Sequence, residues 1–303
     1  MRWTMRIVIA GASGMIGTAL AGYLREQGED VVRLVRRAAG SPDEATWDPA
    51  AGVLEESVLD GADAVVNLSG AGIGDRPWTR RRVREIRESR LHATRTLTSA
   101  MGRLGTPPAV FISQSASGYY GASRPGLLRE DSGPGTGMLA ALCVEWEKAA
   151  RTAPANVRVV APRTGVVLSR SGGALGPVLP LLKLGLGGPL GNGRQYWPWI
   201  SLADEVAAFS FLLRSGLEGP VNVCAPESAD VNAIVASLAA AFHRPAVLRV
   251  PTPVLRLVLG RLADELVLAN QRMEPARLTG SGFQWQHPAL ADATAWLAGT
   301  EDG

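Results

Sequence analysis

Short unbroken apolar runs alternate along this chain with longer stretches whose apolar residues recur every three or four positions. Arg6–Ala10 (RIVIA) reads as a buried parallel strand, apolar on both faces. After the turn GASGMIG at 11–17, the segment TALAGYLREQG has helical spacing and stops at Gly28, a residue suited to a helix C-cap. Further strands are expected at 31–35, 63–68 (DAVVNL), 109–113 (AVFIS) and 157–161 (VRVVA), with one long helix over 80–103. Strands alternating with helices predict an α/β fold, a doubly wound parallel sheet of Rossmann type.

Beyond about residue 170 the rhythm changes. The stretch SGGALGPVLPLLKLGLGGPLGNG is rich in glycine and proline, and helices are expected at 204–214 and 231–242 with a strand at 221–224. The tail from Pro251 is helical and punctuated by Pro253 and Pro275. The expected organisation is a dinucleotide-binding domain over 5–225, with a smaller substrate-side lobe beginning near 170, followed by a helical C-terminal domain over 248–298.

Composition narrows the class. The chain has 303 residues, 46% of them hydrophobic and 19% charged, which excludes a disordered polymer. No run of eighteen apolar residues escapes a charge or breaker, and residues 1–5 lack the apolar core of a signal peptide. Cys143 and Cys224 are too few for a disulfide framework or a cysteine-rich zinc site. His92, His243 and His287 lack ligand spacing, so no metal is expected. These features point to a cytoplasmic protein. Net charge is +3. The densest basic cluster, Arg80, Arg81, Arg82, Arg84, Arg87 and Arg90, is interleaved with Glu85 and Glu88 and reads as a solvated helix face. Neither nucleic acid nor a membrane is therefore expected as a partner; a small-molecule substrate is, and a homodimer stays open.

The candidate chemistry begins at GASGMIG. Gly11, Gly14 and Gly17 follow a strand and open a helix. The first permits the tight turn, the second lets backbone approach a pyrophosphate, and the third lets helix pack on strand. Ser13, Met15 and Ile16 complete the turn. The end of the second strand carries Val35-Arg36-Arg37, with no acid until Asp43. An NAD site usually has Asp or Glu there, whereas paired arginines suit the 2′-phosphate of NADP(H). Chance surface arginines in a chain with 29 of them are the alternative.

GASGMIG, ISQSASGYYG (112–121) and RTGVVLS (163–169) resemble the extended short-chain dehydrogenase/reductases. VVNLSGAGI (65–73), GLGGPLGNGRQYWPWISLADEV (185–206), GPVNVCAPE (219–227) and GFQWQHPAL (282–290) are similar to the atypical "epimerase family protein" branch, often labelled nucleoside-diphosphate-sugar epimerases or cell-division inhibitors. The resemblance spans nearly the whole chain. It implies cofactor contacts from Leu68, Ser69, Glu85, Arg90 and Arg163, and a substrate-binding hydroxyl at Ser115.

One departure is plain. Enzymes of this group use Tyr-x-x-x-Lys, the lysine lowering the tyrosine pKa so that the phenol works near neutral pH. Four residues after Tyr23, Tyr119, Tyr120 and Tyr196 stand Gln27, Ser123, Arg124 and Ile200. Anchoring the family helix on Glu147 puts Leu139 and Cys143 at the tyrosine and lysine places. Ser115, Tyr119 and Tyr120 are then the candidate catalytic residues, with pocket-wall or loop packing as the alternative role of the tyrosines. Trp197 and Trp199 are candidates for a pocket wall or the core. Two functions follow: an NADP(H)-binding oxidoreductase or epimerase-like enzyme acting on a carbonyl, alcohol or sugar nucleotide, or a non-catalytic dinucleotide-binding regulator or partner-binding protein.

Overall fold

The computed structural model describes residues 4–176 and 178–299. Strands β1 (Arg6–Ala10), β2 (Asp30–Val35), β3 (Glu44–Thr46), β4 (Ala64–Asn67), β5 (Val110–Ser113), β6 (Ser115–Ala116) and β7 (Arg158–Thr164) belong to one parallel sheet. β8 (Val166–Leu168), β9 (Tyr196–Trp197) and β10 (Trp199–Ser201) lie outside it, whereas β11 (Gly219–Val223) returns as its edge. The order is β11-β7-β5-β4-β1-β2-β3, with β6 beside β7. β1 therefore lies between β2 and β4, and the strand order reverses there. Open α/β sheets bind ligands at such a switch point, at the carboxyl ends of the strands.

Both faces of the sheet are covered. Alternate side chains of β1 divide between them: Ile7 and Ile9 pack with Leu20 and Leu24 of α1 (Met15–Glu26), while Val8 faces Leu97 and Met101 of α2 (Arg80–Arg103). α3 (Met138–Ala150) joins α2 on its face. After the one-turn α4 (Val178–Lys183), α5 (Leu202–Arg214) joins α1, contributing Phe209 and Leu212. Thr79 caps α2, its Oγ1 accepting from the Arg82 amide. The predicted doubly wound sheet is thus present.

The smaller lobe has a core of its own. β8 pairs with β10, and β9 with β12 (Ala229–Asp230). Trp197 and Trp199 are buried there with Leu179, Ile234 and Leu238, so both tryptophans serve the core; Trp197 also donates to the Val267 carbonyl. α6 (Val231–Ala241) packs on the chain's last helix. The tail forms α7 (Thr252–Leu259), a short π-helical stretch at Ala263–Val267, α8 (Ala276–Gly280) and α9 (Leu290–Gly299). It contributes Leu278 and Phe283 to the main core and Leu290 and Leu297 to the smaller one. Asp204 fastens it. Its carboxylate accepts from the backbone of Gln286 and His287, and its own amide donates to Ser201 Oγ.

The neighbouring Glu205 is fully enclosed, with Oε1 accepting from Thr164 at 2.8 Å and Oε2 without a partner. Burial pushes its carboxyl up to about 8, the Thr164 bond pulling back only partly. The folded chain therefore keeps a proton that the unfolded chain releases from about 4.5 upward. Its contribution to stability is full below that range, falls as pH rises and is lost above about 8. Glu205→Gln should flatten this decline, as read from urea midpoints between about pH 5 and about pH 9.

Candidate functional site

The turn at 11–17 sits at the switch point. Gly11 has φ +82°, and a Cβ on it would lie 2.6–2.8 Å from the backbone of Leu68 and Ser69. β1 and β4 can close only on glycine here. A Cβ on Gly17 would overlap the Gly11 carbonyl oxygen and approach Ala12 Cα to 2.8 Å, so the third glycine lets α1 seat on the strand. Gly14 is exposed, and a Cβ on it would find only the Gly11 carbonyl, at 3.5 Å. As the N-cap of α1 it offers no side chain, and the first turn carries no acid. The leading N–H groups of Met15 and Ile16 thus form an uncapped positive helix end beside an open glycine, with Ser13 exposed next to it.

At the end of β2 the arginine pair separates. Arg37 is bonded through both Nη atoms to Glu44, each at 2.7 Å. The hydrogen bond from Arg37 holds the Glu44 carboxylate down at about 2. Arg36 is exposed and has no ion-pair partner among the described residues. Of the two expected phosphate ligands, one is occupied by the protein and the other is available.

The family helix also differs from a working one. A Cβ on Gly118 would lie 3.2 Å from Leu139 Cβ and 3.7 Å from Cys143 Sγ. Both side chains therefore face the turn that follows β6, and both are buried. Burial, then the Glu147 charge, pushes the Cys143 thiol up to about 12. Leu139 and Cys143 thus supply no acid–base pair to this turn.

The buried network below it engages three of the expected site residues with protein partners. Ser115 is fully buried and donates to Glu147 Oε1 at 2.8 Å, so its hydroxyl is spent inside the protein. Arg163, 2% exposed, donates from Nε and Nη2 to Glu147 at 2.8 and 3.0 Å and from Nη1 to the Glu130 carbonyl and Tyr120 Oη. Burial alone would lower its pKa; the bonds and charge of Glu147 more than offset this and raise it. Four of its five N–H donors thus bond within the protein. Tyr120 is fully buried, its hydroxyl 2.6 Å from Asn222 Oδ1 and 3.0 Å from the Arg129 carbonyl. Burial pushes this phenol up to about 12, away from the range that best suits a general acid or base near neutrality.

Tyr119 remains. It is half-buried, and the Arg163 guanidinium lies 3.4 Å from its ring centroid. Two further residues went unnoticed in the sequence. Ser113 Oγ and Gln114 Oε1, at the carboxyl end of β5, are buried polar atoms without a partner. Unpartnered polar atoms are unfavourable unless a ligand or water completes them, and Ser113 stands in register with Asn67 beside the switch point. Their only sequence signal was position, two residues before Ser115. Arg90 and Glu85 behave as structural groups. Arg90, buried against Trp146, donates to the Ala71 and Ile86 carbonyls and shapes the loop after Ser69. Burial brings it down to about 10. Glu85, exposed, pairs with the buried Arg82 of α2.

A groove of about 730 Å³, lined by Tyr23, Phe211, Arg214, Phe283 and Gln284, lies toward the far end of α1 from the glycine turn.

Removing the carboxylate beneath this site should destabilise the fold strongly. Glu147→Ala strands a buried guanidinium and should cost about 3–5 kcal/mol in urea unfolding. Glu145→Ala, which breaks only the exposed pair with Arg87, should cost about 0–1 kcal/mol.

Residues 7–224 match the NAD-dependent epimerase/dehydratase family, and 250–297 match a domain of unknown function (DUF1731). The epimerase family protein Mb2239 of Mycobacterium bovis is 41% identical over 96% of both chains. Human epimerase family protein SDR39U1 is 36% identical over 95% of this chain and 98% of its own. A crystal structure of human SDR39U1 (isoform 2) with NADPH superposes with a TM-score of 0.90 at 34% identity, covering 97% of this chain and 99% of that one. A UDP-glucuronic acid 4-epimerase from Bacillus cereus, 16% identical with a TM-score of 0.76 over 97% and 98% of the chains, shares the fold. With most of its length matched and both glycine turn and sheet order in place, the chain belongs to the NAD-dependent epimerase/dehydratase family.

Proposed function

We propose that this chain is an NADP(H)-binding, epimerase-like oxidoreductase of the cytoplasm. The observation that carries the reading is the open Gly14 at the uncapped start of α1, at the switch point of the sheet. Gly11, Ser13, Gly14, Met15, Ile16 and Gly17 would hold the pyrophosphate, with Leu68 and Ser69 passing beneath the adenosine side. Arg36, free where an NAD site would have an acid, would hold the 2′-phosphate. The human relative's structure with NADPH supports the same choice.

Bound there, the cofactor would supply hydride transfer to or from a carbonyl or alcohol. The protein's part is positioning. Ser113 and Gln114 would complete their hydrogen bonds on the bound molecules. Tyr119, held by the Arg163 guanidinium, is the tyrosine of the 112–121 stretch that keeps an accessible ring, and its hydroxyl or a water would exchange the proton. Leu139 and Cys143 leave this edge without the usual acid–base pair, which favours a second reading: a dinucleotide-binding regulator without turnover.

Titration by nicotinamide fluorescence tests the first claim. NADPH should bind at least about tenfold more tightly than NADH, and Arg36→Ala should remove that preference while leaving NADH binding unchanged. Equal binding of both by the parent protein would refute the 2′-phosphate assignment. With a panel of carbonyl compounds, Tyr119→Phe should lower kcat by about 10²-fold at unchanged NADPH affinity. NADPH binding without turnover of any carbonyl would favour the regulator.

A further inference from the structure

The smaller lobe carries an apolar surface that its core does not use. α7 buries Leu255 but turns Leu257 and Val258 outward, at 86% and 67% exposure. The loop after α4 exposes Leu184 and Leu186 at 72% and 51%, and Val247 is 75% exposed. These side chains belong to adjoining pieces of chain. The Leu248 amide donates to the Gly187 carbonyl and the Val250 amide to Pro189, so 245–250 lies alongside 185–190. Pro251 then caps α7 directly. Large apolar side chains exposed together on adjoining segments of a folded chain point to an interaction site.

The charges around it are one-sided. Segments 178–190 and 243–268 contain Lys183, Arg244, Arg249, Arg256 and Arg261 against Asp264 and Glu265. That surplus equals the whole chain's net +3, so the rest of the molecule is electrically balanced. Both acids are already paired, Asp264 with Arg256 and Glu265 with Arg261. Exposed Lys183, Arg244 and Arg249 have no ion-pair partner among the described residues. A second copy seated face to face would bring like charges together. An apolar helix face rimmed by cations instead matches the boundary of an anionic bilayer, where leucine and valine enter the acyl edge and arginines meet headgroups.

We propose that this face docks the protein on anionic membrane surfaces. It departs from the sequence-based expectation of no membrane partner because the surplus charge lies in two segments, distant in sequence, that folding brings side by side with the exposed apolar residues. The site edge lies nearby. Met15 of the glycine turn touches Gly173 just before α4, and Glu265 accepts from the Leu139 amide at the start of α3. Docking would therefore set the carboxyl edge of the sheet close to the bilayer. The proposal does not depend on cofactor binding.

Flotation of the full-length protein with vesicles tests it, using phosphatidylcholine alone and an equal mixture with phosphatidylglycerol. The protein should float with the mixed vesicles, not with phosphatidylcholine, and high salt should release most of it. Leu257→Glu/Val258→Glu alters only exposed side chains; it should keep the parent's thermal midpoint and lower the bound fraction at least about tenfold. Arg244→Glu/Arg249→Glu should lower it on mixed vesicles by a similar factor. Failure of the parent protein to float, or undiminished binding by either variant, would overturn the proposal. So would a parent dimer that Leu257→Glu/Val258→Glu dissociates in sedimentation velocity, since a second copy would then own the face.

Discussion

The ion pair between Arg163 and Glu147 is the contact on which the carboxyl edge of this sheet depends. It ties the end of β7 to the C-terminal part of α3, and further hydrogen bonds of the pair reach other elements. Glu147 receives the Ser115 hydroxyl; Arg163 reaches the Glu130 carbonyl and Tyr120 Oη and lies on the Tyr119 ring. Two buried charges are tolerated only when geometry and hydrogen bonding satisfy both. Here they do, so the turn bearing Tyr119 and Tyr120 has little freedom to move.

The same network explains why familiar residues have unfamiliar roles. A serine at the start of β6 and an arginine near the end of β7 would serve ligands in an open site. In this chain both turn inward to serve Glu147. What faces the cofactor edge is set by the neighbours they leave behind: Ser113 and Gln114 without partners, and Tyr119 with its ring half-exposed. α3 contributes Leu139 and Cys143, apolar and buried, where a proton relay would stand.

The tail is a further case of integration. Asp204, at the start of α5, accepts from the backbone at 286–287, while Leu278 and Phe283 complete the main core. Glu265 accepts from the Leu139 amide at the helix that borders the site. Segments distant in sequence are thus mechanically joined to the sheet edge they cover.

Periodicity and punctuation alone determined the alternation of strands and helices, the glycine turn and the strand–helix order, because these are local properties of a few consecutive residues. The missing Tyr-x-x-x-Lys was equally legible, since a spacing on one helix needs no tertiary information. The short strands β3, β6, β8, β9, β10 and β12 were not, being two or three residues whose pairing depends on distant partners. The fate of Ser115, Arg163, Tyr120 and Arg37 was also undetermined. Whether a polar side chain meets a ligand or a protein partner depends on what α3, β3 or β11 brings to hydrogen-bonding distance of it, and only the packed fold decides that.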